Sequence, residues 1–362
     1  MTPVKWVYSF LEKYRYKMAA GLLMVTGIAL LTIVNPYISG RIVDDVITGG
    51  NYKLLPVLIG CLLGVVALKG ILRYASQVMF EICSQGVLYS MRDAVYRKLL
   101  QEDFSFYNKN RTGDLMSRQT GDMDAIRHFI AYIIYSVYEN ILLLSFALIM
   151  IFTVNVKLAL AMLVVLPFTA LTTYGQSKSV RPAFMKIRQQ FSSLNTFVQE
   201  NISGNRVVKA FAREDFEIEK FNKENDAYRD AELNAAAIWK KYVPIFEFLS
   251  NILTVVLMLY GGYMVIQGEI TMGNLVTVNG YLWMLTVPLR MAGWWINDIH
   301  RFTTSAEKIY TTYSQEPEIQ EPQQPIVRKH FHGDVEFKNV SYQAEDADII
   351  LSLIHISEPT RH

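Results

Sequence analysis

The chain has 362 residues, 51% of them hydrophobic and only 19% charged, with a net charge of +2. Soluble proteins average about 25% charged residues, so this balance excludes an ordinary water-soluble fold. No Lys/Arg-rich tract interleaved with aromatics occurs, which excludes nucleic acid as a partner.

The N-terminal residues 1–16 place Trp6, Val7, Phe10, Leu11 and Tyr14 on one helical face, edged by Lys5, Lys13, Arg15 and Lys17. That is the pattern of a helix lying in a membrane interface. No small-residue cleavage site precedes the first apolar span, so the segment does not read as a cleavable signal. Six apolar stretches follow, at about 18–40, 54–73, 130–154, 158–174, 242–266 and 275–296. Each is long enough to cross a bilayer as a helix, and a lipid-exposed span must be helical to satisfy its own backbone. Pro36 is expected to kink or end the first. Gly60 and Gly64 form a GxxxG suited to close helix packing. Cys61 and Cys83 would lie about 33 Å apart on one helix, beyond disulfide reach, and read as buried apolar thiols.

The connections alternate in character. Those at 41–53, around Asn155 and at 267–274 are short and hold only Arg41, Lys53 and Lys157 as basic residues. Those at 74–129 and 175–241 are long and basic, which marks the cytoplasmic side and places both termini there. Neither long connection has a disordered composition. Val87, Leu88, Met91, Val95 and Leu99 recur at helical spacing, as do Phe191, Leu194, Phe197, Val198 and Ile202. Gly113 interrupts the first, and Pro182 and Gly204 punctuate the second. Each therefore reads as a long helix descending, a turn with a short crossing element, and a long helix returning. About 25 helical residues each way would reach roughly 35 Å beyond the membrane. Few secondary transporters need such struts, whereas a protein driven by a cytoplasmic partner does.

At the two turns the sequence becomes specific. The first reads Phe104-Ser-Phe-Tyr-Asn-Lys-Asn-Arg-Thr-Gly113-Asp114-Leu-Met-Ser-Arg118, followed by Asp122. The second reads Glu200-Asn-Ile-Ser-Gly204-Asn-Arg-Val-Val-Lys209-Ala-Phe211-Ala-Arg-Glu214. These resemble the two intracellular-loop motifs of ABC exporters. The resemblance implies that Asn108, Arg111, Gly113, Asp114 and Arg118 in the first turn, and Gly204, Lys209, Phe211 and Glu214 in the second, belong to coupling helices. In that family such helices sit in grooves of the nucleotide-binding domains, and a short amphipathic helix with aromatic anchors suits a groove. The alternative is that Phe104, Phe106 and Phe211 only pack the strut ends while the glycines turn the chain. Pro36-Tyr-Ile-Ser-Gly40-Arg-Ile-Val-Asp44, Met272-Gly-Asn-Leu275 and Ser305-Ala-Glu-Lys-Ile309 resemble further parts of the same family, so that the likeness covers residues 1 to about 350.

Residues 316–330 are proline-rich and polar and read as a linker. Gly333-Asp-Val-Glu-Phe-Lys-Asn-Val-Ser-Tyr342 alternates like a strand and resembles the opening strand of an ABC nucleotide-binding domain. Ala344 stands where that family often stacks an aromatic on adenine, leaving Tyr342 as a substitute cofactor contact. No G-x-x-x-x-G-K-(S/T) phosphate loop occurs in the chain. Residues 351–362, with Leu351-Ser-Leu-Ile-His-Ile-Ser-Glu-Pro-Thr-Arg361, look like a translated sequencing adapter and are set aside from the fold.

Ionisable and amide groups inside spans are costly and point to function. Glu139, Glu247, Asn251, Asn279, Tyr281 and Met284 are candidates to line a substrate cavity, whereas Arg73, Glu81 and Arg290 read as snorkelling or mutually paired. No residue set has spacing for catalysis or metal binding.

The expected fold class is an all-α membrane protein: a six-transmembrane-helix ABC exporter domain over residues 1–315, with long cytoplasmic helical extensions. A linker (316–330) and a short β stub of the nucleotide-binding domain (331–350) follow. By the resemblance, the full-length protein is an ATP-hydrolysing translocase using ATP and Mg2+, neither bound by this stretch alone. It would pair with a second transmembrane half, as homo- or heterodimer, and with nucleotide-binding domains in the lipid bilayer of a bacterial plasma membrane. Its substrate would be an amphipathic drug, lipid or peptide. The alternatives are a six-span secondary transporter and an inactive fragment.

Overall fold

The computed structural model describes residues 2–317, 341–344 and 347–350. Two units separate, Met1–Glu316 and Pro317–His362.

In the first unit, α1 (Pro3–Leu11) starts on Thr2, whose hydroxyl accepts from the Lys5 amide, with Pro3 at its first position, where no amide is missed. Trp6 and Val7 are buried. The Trp6 ring lies 4.9 Å from Tyr313 and 5.8 Å from Tyr310, so this part of the apolar face packs on protein. Helix α2 (Arg15–Arg41) passes Pro36 without ending and widens into a π-helical turn, Ile42–Thr48. Helix α3 (Leu55–Leu99) is unbroken for 45 residues and carries both thiols, Cys83 buried and Cys61 exposed.

The return path is assembled from short pieces: α4 (Phe104–Lys109), α5 (Thr112–Ser117), a π-helical turn (Arg118–Asp122), α6 (Met123–His128), a second π-helical turn (Phe129–Ile133) and α7 (Ile134–Val154). Asn155 then caps α8 (Val156–Leu163), its side chain accepting from the Lys157 and Leu158 amides at 2.8 and 3.2 Å.

Helix α9 (Val165–Ala210) runs through Pro182 and Gly204, which therefore do not punctuate it. An isolated glycine costs a helix only about 1 kcal/mol. Helix α10 (Glu214–Val256) returns directly. The second long connection thus turns on Phe211, Ala212 and Arg213 alone and has no separate crossing helix of the kind expected. After α11 (Gly262–Ile266), α12 (Met272–Ser314) is a single helix of 43 residues.

Among the described residues, five helical runs are long and apolar enough to cross a membrane: Pro3–Thr48, Tyr52–Leu99, Thr112–Val154, Val156–Ala210 and Glu214–Ile266. The expected sixth span falls in α12, whose apolar stretch is diluted by Asn279, Arg290 and Asn297 and is not one of the five.

Two apolar clusters hold the unit together. One joins α2, α7, α8, α9, α10 and α12 around Ala147, Leu158, Leu253, Val278 and Tyr281. The other joins α1, α2, α3, α6, α7 and α12 around Trp6, Val25, Phe80, Met91, Met123 and Ala306. Helix α12 belongs to both, as do α2 and α7. Its N-terminal end meets α2 at backbone contact: a Cβ on Gly40 would collide with the Gly273 carbonyl and the Thr277 hydroxyl. Asp44 seals the same junction, accepting from the Gly273 amide at 2.7 Å and the Thr271 hydroxyl at 2.5 Å.

In the second unit the described backbone forms β1 (Ser341–Ala344) and β2 (Ala347–Ile350), antiparallel, with Tyr342 opposite Ile349. The linker, most of the expected strand at 333–340, and residues 351–362 lie outside the described residues.

Candidate coupling interface

The first strut end is built by capping. Asp103 accepts from the Phe106 amide at 3.0 Å and starts α4. Phe106 is buried, its ring edge-on to Tyr107 at 5.3 Å, and the Tyr107 hydroxyl donates to the Leu99 carbonyl at 2.6 Å. These contacts fix α4 across the end of α3 and leave Phe104, 88% exposed, directed away from the chain. Asn108, Arg111, Gly113 and Asp114 are exposed beside it, while Leu115 is buried.

Arg118 and Asp122 behave differently. Arg118 donates to the Thr312 hydroxyl at 2.5 Å, and Asp122 accepts from Ser305 at 2.7 Å with Lys308 3.8 Å away. Both side chains tie the π-helical turn to α12. One turn further on, the Arg127 guanidinium hydrogen-bonds Asp124 at 2.8 Å and holds its carboxyl below the usual carboxylate range.

At the second strut end Lys209, Phe211 and Glu214 are all exposed, Phe211 at 75%. Gly204 sits two turns back in α9 with open space where a Cβ would be. Ala212 adopts φ +47°, in the left-handed region that disfavours any residue with a Cβ.

The candidate cavity residues do not converge. Glu139 is buried and receives both Arg73 nitrogens, at 2.6 and 2.5 Å. Tyr281 is buried and donates to the Ile33 carbonyl at 3.0 Å, and Met284 is buried in the core. Glu247 and Asn251 are exposed on α10, one turn apart, and Asn279 is exposed on α12. A cavity of about 660 Å3 opens instead between α9, α10 and α12, with Arg181, Arg188, Arg290, Trp239 and Trp294 in its walls. The first two were read only as topological charge. Their signal was the spacing Arg181, Phe184, Arg188, Phe191, which puts them on one helical face.

The sequence has no phosphate loop, and among the described residues no three His, Cys, Asp or Glu are grouped to hold a metal ion.

Long helices that outrun their apolar stretches, ending in exposed aromatics and keyed to a helix of the membrane core, define a multi-pass membrane domain. A family model for the ABC transporter transmembrane region matches residues 18–289. The chain belongs to that family. It is 36% identical over 332 residues to the ABC transporter ATP-binding protein YknU of Bacillus subtilis strain 168, covering 91% of this chain and 56% of that protein. It is 25% identical to an ATP-dependent lipid A-core flippase of Syntrophus aciditrophicus strain SB, covering 94% and 56%. It is 27% identical to YheI, a probable multidrug resistance transporter of Bacillus subtilis strain 168, covering 92% and 57%. The chain thus spans about half the length of the curated relatives it matches.

Proposed function

We propose that this chain is one transmembrane half of an ATP-driven exporter, and that its two strut ends dock in grooves of nucleotide-binding domains. The observation that carries this is the pair of exposed phenylalanines, Phe104 and Phe211, at the ends of helices that are fixed behind them. A fully exposed Phe gains about 1.5–3 kcal/mol on burial, so each is an anchor awaiting a partner. Asn108, Arg111, Gly113, Asp114, Lys209 and Glu214 form the polar rims of these contacts. Arg118 acts behind them, passing movement of the strut to α12.

On this reading α12 supplies the sixth span, both termini are cytoplasmic, and a second half completes a central pathway in a bacterial plasma membrane. Glu247, Asn251 and Asn279 are the candidates to face it. The transported molecule is amphipathic, in line with the lipid and multidrug names of the relatives. ATP and Mg2+ belong to the nucleotide-binding domains, where Tyr342 is a candidate adenine contact.

The test uses the full-length protein in proteoliposomes, with ATP hydrolysis and export of an amphipathic dye measured together. Phe104→Ala combined with Phe211→Ala should leave hydrolysis in place and abolish export. Unchanged export per ATP would overturn the assignment of the strut ends, and export that persists without ATP would overturn the exporter reading itself.

A further inference from the structure

The cavity between α9, α10 and α12 has the chemistry of a ligand site. Helices α9 and α12 approach closely at Gly293, where an added Cβ would stand 3.9 Å from both Thr173 and Ser177. Beyond that point a space of about 660 Å3 opens, within the range of small-molecule sites. One wall is apolar and aromatic, with Phe184, Phe191, Trp239 and Trp294. The other is cationic: Arg181 and Arg188 lie two helical turns apart on α9, and Arg290 faces in from α12.

Asp298 is the only carboxylate in the lining. None of the three arginines has an ion pair or hydrogen bond among the described residues. This contrasts with Arg73 and Arg118, each of which is satisfied within the chain. Guanidinium groups gathered without partners beside an apolar wall match a phosphate, which takes paired N–H donors in a planar fork. The position agrees. Arg181 lies seven residues past Tyr174, the end of the fourth apolar stretch, or about 10 Å further along α9. That is the depth of the headgroup layer flanking a hydrocarbon core.

We propose that this cavity binds an amphiphile with a phosphate-bearing headgroup, the phosphate held by Arg181, Arg188 and Arg290 and the chain laid along Trp294 and Phe184. As the substrate class of the exporter this rests on the reading above; as a binding site it does not.

The full-length protein is placed in nanodiscs containing brominated phosphatidylglycerol or brominated phosphatidylcholine. Quenching is measured as the part of the tryptophan signal lost in Trp294→Phe. Phosphatidylglycerol should win by roughly tenfold or more, the gain expected from one to two charge-assisted contacts. Arg290→Gln, and Arg181→Gln with Arg188→Gln, should bring the preference near unity, while Arg290→Lys should keep most of it. Equal quenching by the two lipids, or a preference that survives loss of all three arginines, overturns the proposal. Displacement of the lipid by millimolar glycerol phosphate overturns the amphiphile in favour of a free-phosphate site. ATP hydrolysis in the same nanodiscs separates the two readings. If it persists alongside headgroup indifference, this proposal alone fails; if it is absent from wild type, the exporter reading fails and the lipid comparison still stands.

Discussion

Replacing Glu139 with Gln is expected to destabilise the membrane domain by about 2–4 kcal/mol, and replacing Arg73 at the same time should recover most of that loss. The two side chains join α3 to α7 through a bidentate contact at 2.6 and 2.5 Å, and Glu139 is only 8% exposed. Removing one member of such a pair strands the other's charge, which costs about 3–5 kcal/mol in protein interiors. Single hydrogen bonds within membrane helix bundles are worth less, about 0.6 and at most about 1.7 kcal/mol, because the unfolded chain finds other partners in the bilayer. Two charge-assisted bonds on one pair fall between these limits. Arg73→Met with Glu139→Leu leaves no orphan and should cost under about 1 kcal/mol. Reversible unfolding in mixed micelles, followed by helix content, of wild type, Arg73→Met, Glu139→Leu and the double variant gives the four stabilities of a double-mutant cycle. Additive effects, or a loss below about 0.5 kcal/mol for Glu139→Gln, would refute the structural role. A transport defect in Glu139→Gln at unchanged stability would return the residue to the substrate pathway.

Gly40→Ala should cost about 1–3 kcal/mol, as overpacking does, because its Cβ meets the Gly273 backbone carbonyl as well as the Thr277 hydroxyl; a thermal shift of the detergent-solubilised protein reads it. Ala212→Gly should stabilise the second strut end by up to about 1 kcal/mol by relieving the left-handed backbone, seen as slower amide exchange at 207–216. The Asp124 carboxyl is held below its ordinary range by Arg127, so its contribution is present above the usual carboxylate pKa and is lost as pH falls through the lowered value. Asp124→Asn should therefore flatten the fall in melting temperature between neutral and acid pH, and an unchanged profile would remove this group from the acid response.

Much of the architecture was legible because the apolar runs are long and the struts carry helical periodicity. The motif at 104–122 was legible as a turn, since Asp103 can cap α4 and Arg111 and Thr112 open the next helix. The second turn misled, because Gly204 looks like a break. A lone glycine does not by itself end a helix, and the turn falls on Ala212 with no glycine or proline to announce it. Pro182 misled in the same way, since α9 continues through it. The buried state of Tyr281 and Met284 was not legible either. In a membrane helix, lipid-facing, core-facing and cavity-facing positions share one apolar alphabet, and only packing tells them apart.

The sites converge on α12. Its N-terminal end is joined to α2 by Asp44 and the Gly40–Gly273 contact, its middle borders the arginine cavity, and its last turns hold Ser305 and Thr312 against the first strut and Tyr310 and Tyr313 against Trp6. Two short polar contacts, Arg118 to Thr312 and Asp122 to Ser305, set two turns apart on α12, join it to the turn that follows α5. Two contacts at that separation resist rotation as well as translation, which a single contact would not. The helix that leaves the unit at Ser314 is thus the one that the first strut grips. A partner that binds the first strut end would therefore act on the C-terminal end of α12 through Arg118 and Asp122.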